Sequence, residues 1–200
     1  MSARAVSRGV ELRGVVRRFG EQTVLDGLDL TLEAGTATAL MGPNASGKTT
    51  VGRLVLGLDS PDGGVVEGVA GARRTAVFQE DRLCAHLSAT ENLRLVLDKA
   101  EWPRVEAELR AVGLRGAARD KPVRDLSGGQ RRRVAIARAL VAEGEIVVLD
   151  EPLTGVDAAS KKTLLAYIAD RIAGRTTLLI THDRAEARAL GARVVRLRGA

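Results

Sequence analysis

Gly42-Pro43-Asn44-Ala45-Ser46-Gly47-Lys48-Thr49 is the stretch on which the reading of this chain turns. Before it, Thr36 to Met41 is a short apolar run bounded by Gly35 and by Gly42-Pro43, the pattern of a buried strand. After it, Val51, Leu54, Val55 and Leu58 recur at i, i+3, i+4 and i+7, so they predict one buried helix face, with Pro61-Asp62-Gly63-Gly64 as its stop. In a loop so placed, glycines let backbone N–H groups close on phosphate oxygens while the next helix presents its positive end. The spacing is that of a P-loop, in which Lys48 reaches the β- and γ-phosphates and the Thr49 hydroxyl ligates Mg²⁺. With this composition, about 0.006 such matches are expected by chance in the whole chain. The plainer reading is a Gly-rich strand-to-helix turn that binds nothing.

A second apolar run, Ile146 to Leu149, ends in Asp150-Glu151, and a third covers Thr177 to Ile180. Unbroken apolar runs mark strands covered on both faces of a mostly parallel sheet, so the class is α/β. Ligands of such sheets sit at the C-terminal ends of the strands. There Asp150 suits Mg²⁺ coordination. Glu151 is placed to take the proton of an attacking water, a role worth on the order of 10²- to 10⁴-fold in rate.

Between these runs, Ser88-Ala89-Thr90-Glu91 has the capping-box pattern and is followed by Leu93, Val96 and Leu97. Trp102, Val105, Leu109 and Val112 form a second helical stripe ending at Gly113. Residues of about 85 to 140 therefore read as a helical subdomain inserted in the α/β core.

Composition bounds the rest. At 200 residues, 45% hydrophobic and 28% charged, the chain is a single globular domain rather than a disordered one. One cysteine, Cys84, excludes an internal disulfide and a Cys-cluster metal site, and a reducing cytosol is expected. The longest apolar candidate, Val134 to Ala142, is interrupted by Arg138 and is too short to span a bilayer. Arginines at 4, 8 and 13 have no apolar segment behind them, so no secretory signal is expected. The net charge is +6, but 26 of the 31 basic residues are arginines scattered along the chain, so charge alone gives little reason to expect nucleic acid as a partner.

Leu126-Ser127-Gly128-Gly129-Gln130 upstream of Asp150 makes the chain resemble the nucleotide-binding subunit of an ATP-binding cassette (ABC) transporter. Read as residues, the pentapeptide is a second anion site at a helix start: Ser127 and Gln130 have capping-box spacing, and two glycines expose backbone N–H groups. Capping alone is its other reading. In this order with the two phosphate motifs it resembles the family signature, whose Ser127, Gly128, Gly129 and Gln130 would meet the ATP of a partner chain. The resemblance implies further roles. Gln79 matches the Q-loop glutamine that touches Mg²⁺ or water, so the metal set would be Thr49, Gln79 and Asp150. His182 matches the switch histidine on the γ-phosphate, and with Glu151, Lys48 and Gln79 completes the catalytic set. Phe19 matches the aromatic residue that stacks on adenine, its alternative being a place in the core. The nucleotide site would be Gly42, Pro43, Asn44, Ala45, Ser46, Gly47, Lys48, Thr49, Thr50 and Phe19. Leu153-Thr154-Gly155-Val156-Asp157 resembles the D-loop, with Val156 departing mildly from the family pattern.

Arg132 stands where many relatives carry Gln, and the run Arg131-Arg132-Arg133 reads as a solvated helix face. The interval from Gln79 to Ser127 is short for the family, which suggests a trimmed helical subdomain. The resemblance implies one ABC ATPase domain over 1–200: an α/β P-loop core of about 1–84 and 145–200 with an N-terminal antiparallel region, and the helical subdomain at about 85–144. It further implies ATP and Mg²⁺, a homodimer or paired cassette, a separate integral membrane permease with an extracytoplasmic solute-binding protein, and a place on the inner face of the cell membrane. Gln79 to Leu83 resembles the same stretch in importers of the nitrate, sulfonate and taurine type. Against this stand a non-transport ABC ATPase acting on nucleic acid or ribosomes, motivated by the +6 charge, and a generic P-loop kinase or GTPase, which the signature pentapeptide argues against.

Overall fold

A computed structural model describes residues 8–197 of the chain, so Arg4 of the N-terminal arginines lies outside the described residues. In chain order the elements are β1 (Val10–Phe19), β2 (Gln22–Leu32), β3 (Ala37–Met41), α1 (Lys48–Val55), β4 (Gly63–Glu67), β5 (Arg74–Val77), α2 (Ala89–Arg94), α3 (Val105–Ala111), α4 (Gly128–Val141), β6 (Ile146–Asp150), α5 (Ala158–Ile172), β7 (Thr176–Ile180), α6 (Arg184–Ala189) and β8 (Arg193–Arg196). They fall into two compact units. One holds residues up to Ala76, Gly144–Asp150 and the residues from Ile172; the other holds Val77–Glu143 and Glu151–Arg171. The grouping differs from the sequence division in two places: the border lies at Val77 rather than near 85, and Glu151–Arg171 goes with the helices.

The first unit carries two sheets, one of order β2-β1-β4 with antiparallel pairs, the other of order β5-β6-β7-β3-β8. β6 pairs with β7, β7 with β3 and β3 with β8 in parallel. Every residue of β6 and β7 is buried, which fits their apolar stretches Ile146–Leu149 and Leu178–Ile180. The register aligns Leu40 of β3, Ile180 of β7 and Asp150 of β6 across the sheet. The chain leaving each of these strands therefore emerges at one edge. α1 contacts β6 and β7, and Gly52 permits the approach: a Cβ there would lie 3.1 Å from Ile180 Cδ1 and 3.2 Å from Val148 Cγ1.

Two expectations about α1 are corrected. Val51, Leu54 and Val55 are buried, but Leu58 is 50% exposed, because the helix ends at Val55 and Gly57 turns the chain with φ 65°. The Gly57 N–H donates to Leu54 O and the Leu58 N–H to Arg53 O, so a glycine cap stops the helix. Residues 63 and 64 of the expected stop instead open β4, which pairs with β1.

The second unit is helical. Ser88 Oγ accepts from the Glu91 N–H at 3.2 Å and Glu91 Oε2 accepts from the Ser88 N–H at 2.8 Å, closing the capping box of α2. α2 ends at Arg94, so only Leu93 of its expected stripe is buried and Val96 is 41% exposed. In α3, Val105 and Leu109, with Val112 just beyond, are buried, and Gly113 ends the stripe with φ 79°. Trp102 is half-buried in the 3₁₀ turn Lys99–Arg104, with the Arg94 guanidinium 4.7 Å from its ring centroid. α5 returns against α3 through a buried carboxylate: Glu108 accepts from Tyr167 Oη and from Arg171 Nη2, both at 2.8 Å. Among the described residues no helix is long and apolar enough to cross a membrane.

Candidate nucleotide site

The loop 42–47 leaves β3 and turns into α1 through two left-handed residues, Ala45 at φ 60° and Gly47 at φ 89°. Glycine is required at both ends of the turn. A Cβ at Gly42 would lie 2.7 Å from Leu197 O and 2.9 Å from Ser46 Oγ; one at Gly47 would lie 2.7 Å from Leu25 Cδ2 and 3.0 Å from Val24 Cγ1. No described side chain caps α1, so its first N–H groups and its positive end face the loop, the arrangement that binds anions. Lys48 Nζ donates to Gly42 O at 3.0 Å and to Pro43 O at 2.5 Å, so the ammonium is drawn over the loop. An ammonium has three donors, and these carbonyls take two. Ser46 Oγ is buried with no partner among the described residues, a hydroxyl suited to a phosphate oxygen.

At the same edge, Thr49 Oγ1 donates to Asp150 Oδ2 at 3.0 Å, and Asp150 is 6% exposed. This pair joins the first turn of α1 to the end of β6. A hydroxyl and a carboxylate are hard oxygen donors, and Mg²⁺ is commonly held by one or two such protein ligands with phosphates and waters supplying the rest. The residues therefore fit the ion. β7 delivers His182, which is exposed two residues past Ile180. The backbone is fixed on both sides of it: Thr181 Oγ1 donates to Glu186 Oε2 at 2.7 Å and accepts from the Asp183 N–H at 3.1 Å, and Asp183 Oδ1 accepts from Ala185 N at 2.7 Å to cap α6. Phe19, 49% exposed at the end of β1 with the Arg17 guanidinium 4.8 Å from its ring centroid, is not a core residue.

In the second unit, Glu151 is half-buried and left-handed at φ 45°, a conformation that costs a non-glycine residue about 1–3 kcal/mol. Thr154 Oγ1 donates to its Oε2 at 3.1 Å. Gln79 is exposed. Ser127 caps α4 reciprocally: its Oγ accepts from Gln130 N at 3.2 Å while Gln130 Oε1 accepts from Ser127 N at 3.0 Å. Gly128 and Gly129 have no positive φ. A Cβ at Gly129 would meet no described residue within 4 Å, and one at Gly128 only Arg131 Nη2 at 3.9 Å. Nothing described in this chain needs either glycine, and the ground over the start of α4 is open. Asp157 accepts from Ser160 Oγ at 2.5 Å and Ser160 N at 2.9 Å, and these bonds hold its carboxyl below the usual carboxylate range.

The arginine run is not a solvated face. Arg131 Nη1 donates to Leu126 O at 2.6 Å and Arg133 Nη1 to Gly113 O at 2.9 Å, while Arg132 is 5% exposed. Arg132 Nη2 donates to Glu151 O at 2.6 Å, its Nε to Pro152 O at 2.8 Å, and its Nη1 to Phe78 O at 2.6 Å. Its helical spacing held the signal. Arg132 lies on the stripe of Ile136 and Ala139, both buried, and a charge on a buried stripe has a partner waiting.

A parallel sheet with a glycine anion loop, an uncapped helix start and a hydroxyl–carboxylate pair at its C-terminal edge defines a P-loop protein of the nucleotide-binding kind. The family model described as ABC transporter matches residues 25–154, and the chain belongs to that family. The aliphatic sulfonates import ATP-binding protein SsuB 1 of Paraburkholderia xenovorans is 42% identical over 198 residues, covering 96% of this chain and 58% of its own length. SsuB 2 of Pseudomonas savastanoi pv. phaseolicola is 44% identical over 195 residues, covering 96% and 71%. The chain thus spans between about half and three quarters of these relatives. Among solved structures, a bacterial ABC transporter cassette in dimeric form aligns with a TM-score of 0.83 at 27% identity, covering 94% of both chains. A post-hydrolysis state of an ATP-binding cassette bound to ADP and Pi aligns with a TM-score of 0.83 at 28% identity over the same shares.

Proposed function

We propose that this chain is the ATP-binding and ATP-hydrolysing subunit of an ABC importer, driving a separate membrane permease from the inner face of the membrane, with a sulfonate-type organic anion as cargo. The Thr49–Asp150 pair beneath an uncapped, glycine-closed loop carries the reading: it sets a phosphate cradle and a metal-binding oxygen pair at one sheet edge. The relatives' printed names support import and sulfonates, and the dimeric neighbour supports a pair of cassettes.

The residues divide the work. Loop amides from Gly42 to Thr50 and the Lys48 ammonium hold the phosphates, and Phe19 stacks on the base. Thr49 and Asp150, with Gln79, would hold Mg²⁺, which would supply positive charge beside the phosphates. Glu151 accepts the proton of the attacking water, and His182 hydrogen-bonds the γ-phosphate as its charge rises. Ser127, Gly128, Gly129 and Gln130 close on the ATP of a partner chain, which gives the open glycines their use. Asp157 serves the same interface. A solute-binding protein outside the cell completes the system.

Glu151→Gln tests the assignment. The variant is expected to bind ATP with unchanged affinity, to release phosphate on the order of 10²-fold more slowly, and to collect as a dimer with ATP in size-exclusion light scattering. Undiminished turnover removes Glu151 from the base role.

A further inference from the structure

Arg132 is a buried guanidinium at a helix position, two residues past Gln130, where many relatives carry Gln. The carboxylate facing it is that of Asp81, at 3.4 Å. Its shortest bonds go instead to backbone oxygens: Phe78 O and Glu151 O at 2.6 Å, and Pro152 O at 2.8 Å, with Gln79 O at 3.3 Å. One edge of the fork, Nε and Nη2, takes two successive carbonyls, while Nη1 takes the other segment. Successive carbonyls of a strand point to opposite sides. The chain has therefore left strand geometry directly after Asp150, at the left-handed Glu151. A planar fork with five fixed donors suits this pattern; an ammonium or a carboxamide cannot reach all of these oxygens at once.

We propose that Arg132 is a positioning residue whose guanidinium ties the backbone before Gln79 to the backbone of Glu151 and Pro152, holding Glu151 in its left-handed setting. The inference rests on the reading of Glu151 as the base. It extends that reading by placing a determinant of the hydrolysis rate inside the signature helix, at a guanidinium whose bonds go to backbone oxygens and Asp81.

The test uses the 200-residue chain and its Arg132→Lys and Arg132→Gln variants, each also combined with Glu151→Gln. Arg132→Lys keeps the charge and stem but loses the fork. It is expected to lower kcat about tenfold or more while KM for ATP and affinity for a fluorescent ATP analogue stay within about twofold. Hydrogen exchange followed by mass spectrometry is expected to quicken together at residues 78–82 and 151–155, with 134–141 unchanged. In the Glu151→Gln background the same substitution should cost no further turnover, because Arg132 acts through that residue. Turnover undiminished in Glu151→Gln alone overturns the base assignment and this inference with it. With Glu151→Gln slow, wild-type kcat in Arg132→Lys and Arg132→Gln overturns this inference alone. So does a loss of rate matched by loss of nucleotide affinity and faster exchange throughout the helix, the signature of a structural role.

Discussion

Gly47 is legible in the sequence, whereas for Phe19 the sequence leaves two readings open. Gly47 is dictated by backbone: φ 89° and a Cβ path ending 2.7 Å from Leu25 Cδ2 leave only glycine, and the fixed spacing of the loop announces it. Phe19 has no such constraint. It is one of four aromatic residues in the chain, and from sequence alone the core and an adenine contact compete for it. Its 49% exposure settles against the core. Phe19→Ala should therefore change stability by no more than about 0.5 kcal/mol. In the Glu151→Gln background it should weaken ATP binding about tenfold, since stacking a base on an aromatic ring contributes about 1–3 kcal/mol. Calorimetric titration with ATP beside a thermal melt reads both numbers. Unaltered affinity would strip Phe19 of the adenine role. Arg132 shows why other residues were misread: a charge run looks solvated until the helix phase places one of its members over buried neighbours.

Among the elements, β3, β6 and β7 were readable because burial on both faces removes the polar alternation of a half-exposed strand, and α1 because its buried residues recur at helical spacing. The capping boxes of α2 and α4 were readable because they are local in sequence. What escaped was non-local or conformational: the stop of α1 at Gly57, β4 in residues taken for a turn, and the passage of Glu151–Arg171 to the helical unit. The α3–α5 contact belongs to the same class, since Glu108 and Tyr167 stand 59 residues apart. Burial, with the Glu108 carboxylate beside it, pushes the Tyr167 phenol well above its ordinary range. A raised folded-state pKa adds stability that is whole below the unfolded value of about 10 and is lost as pH climbs toward the folded one. Tyr167 is the chain's one tyrosine, so its titration is unobscured. At pH of about 11 the near-ultraviolet absorbance should show no phenolate while circular dichroism still reports folded protein, and phenolate should rise only as the chain unfolds. An ordinary midpoint in the folded chain would mean that the Tyr167–Glu108 contact opens in solution.

For the whole molecule, the proposed work requires two chains, and the start of α4 is where that requirement meets the packing of one. Ser127 has an internal task, capping α4, which it performs with its own hydroxyl and Gln130. The task proposed for it toward a partner's ATP is separate, and substitution can part the two. Aspartate caps a helix about as well as serine, so Ser127→Asp should keep the melting temperature. It also sets a negative charge where a partner's phosphates would come, and charges about 4 Å apart repel by roughly 4 kcal/mol near a protein surface. In the Glu151→Gln background, Ser127→Asp should therefore still bind ATP as a monomer but no longer gain mass with ATP, whereas Ser127→Ala should lose about 1 kcal/mol of stability and keep some dimer. Light scattering of both variants with and without ATP reads the difference. An ATP-dependent dimer surviving in Ser127→Asp would leave α4 with its cap alone. The +6 charge would then be the remaining lead, and stimulation of phosphate release by nucleic acid rather than by a reconstituted permease would turn the assignment toward a non-transport ATPase.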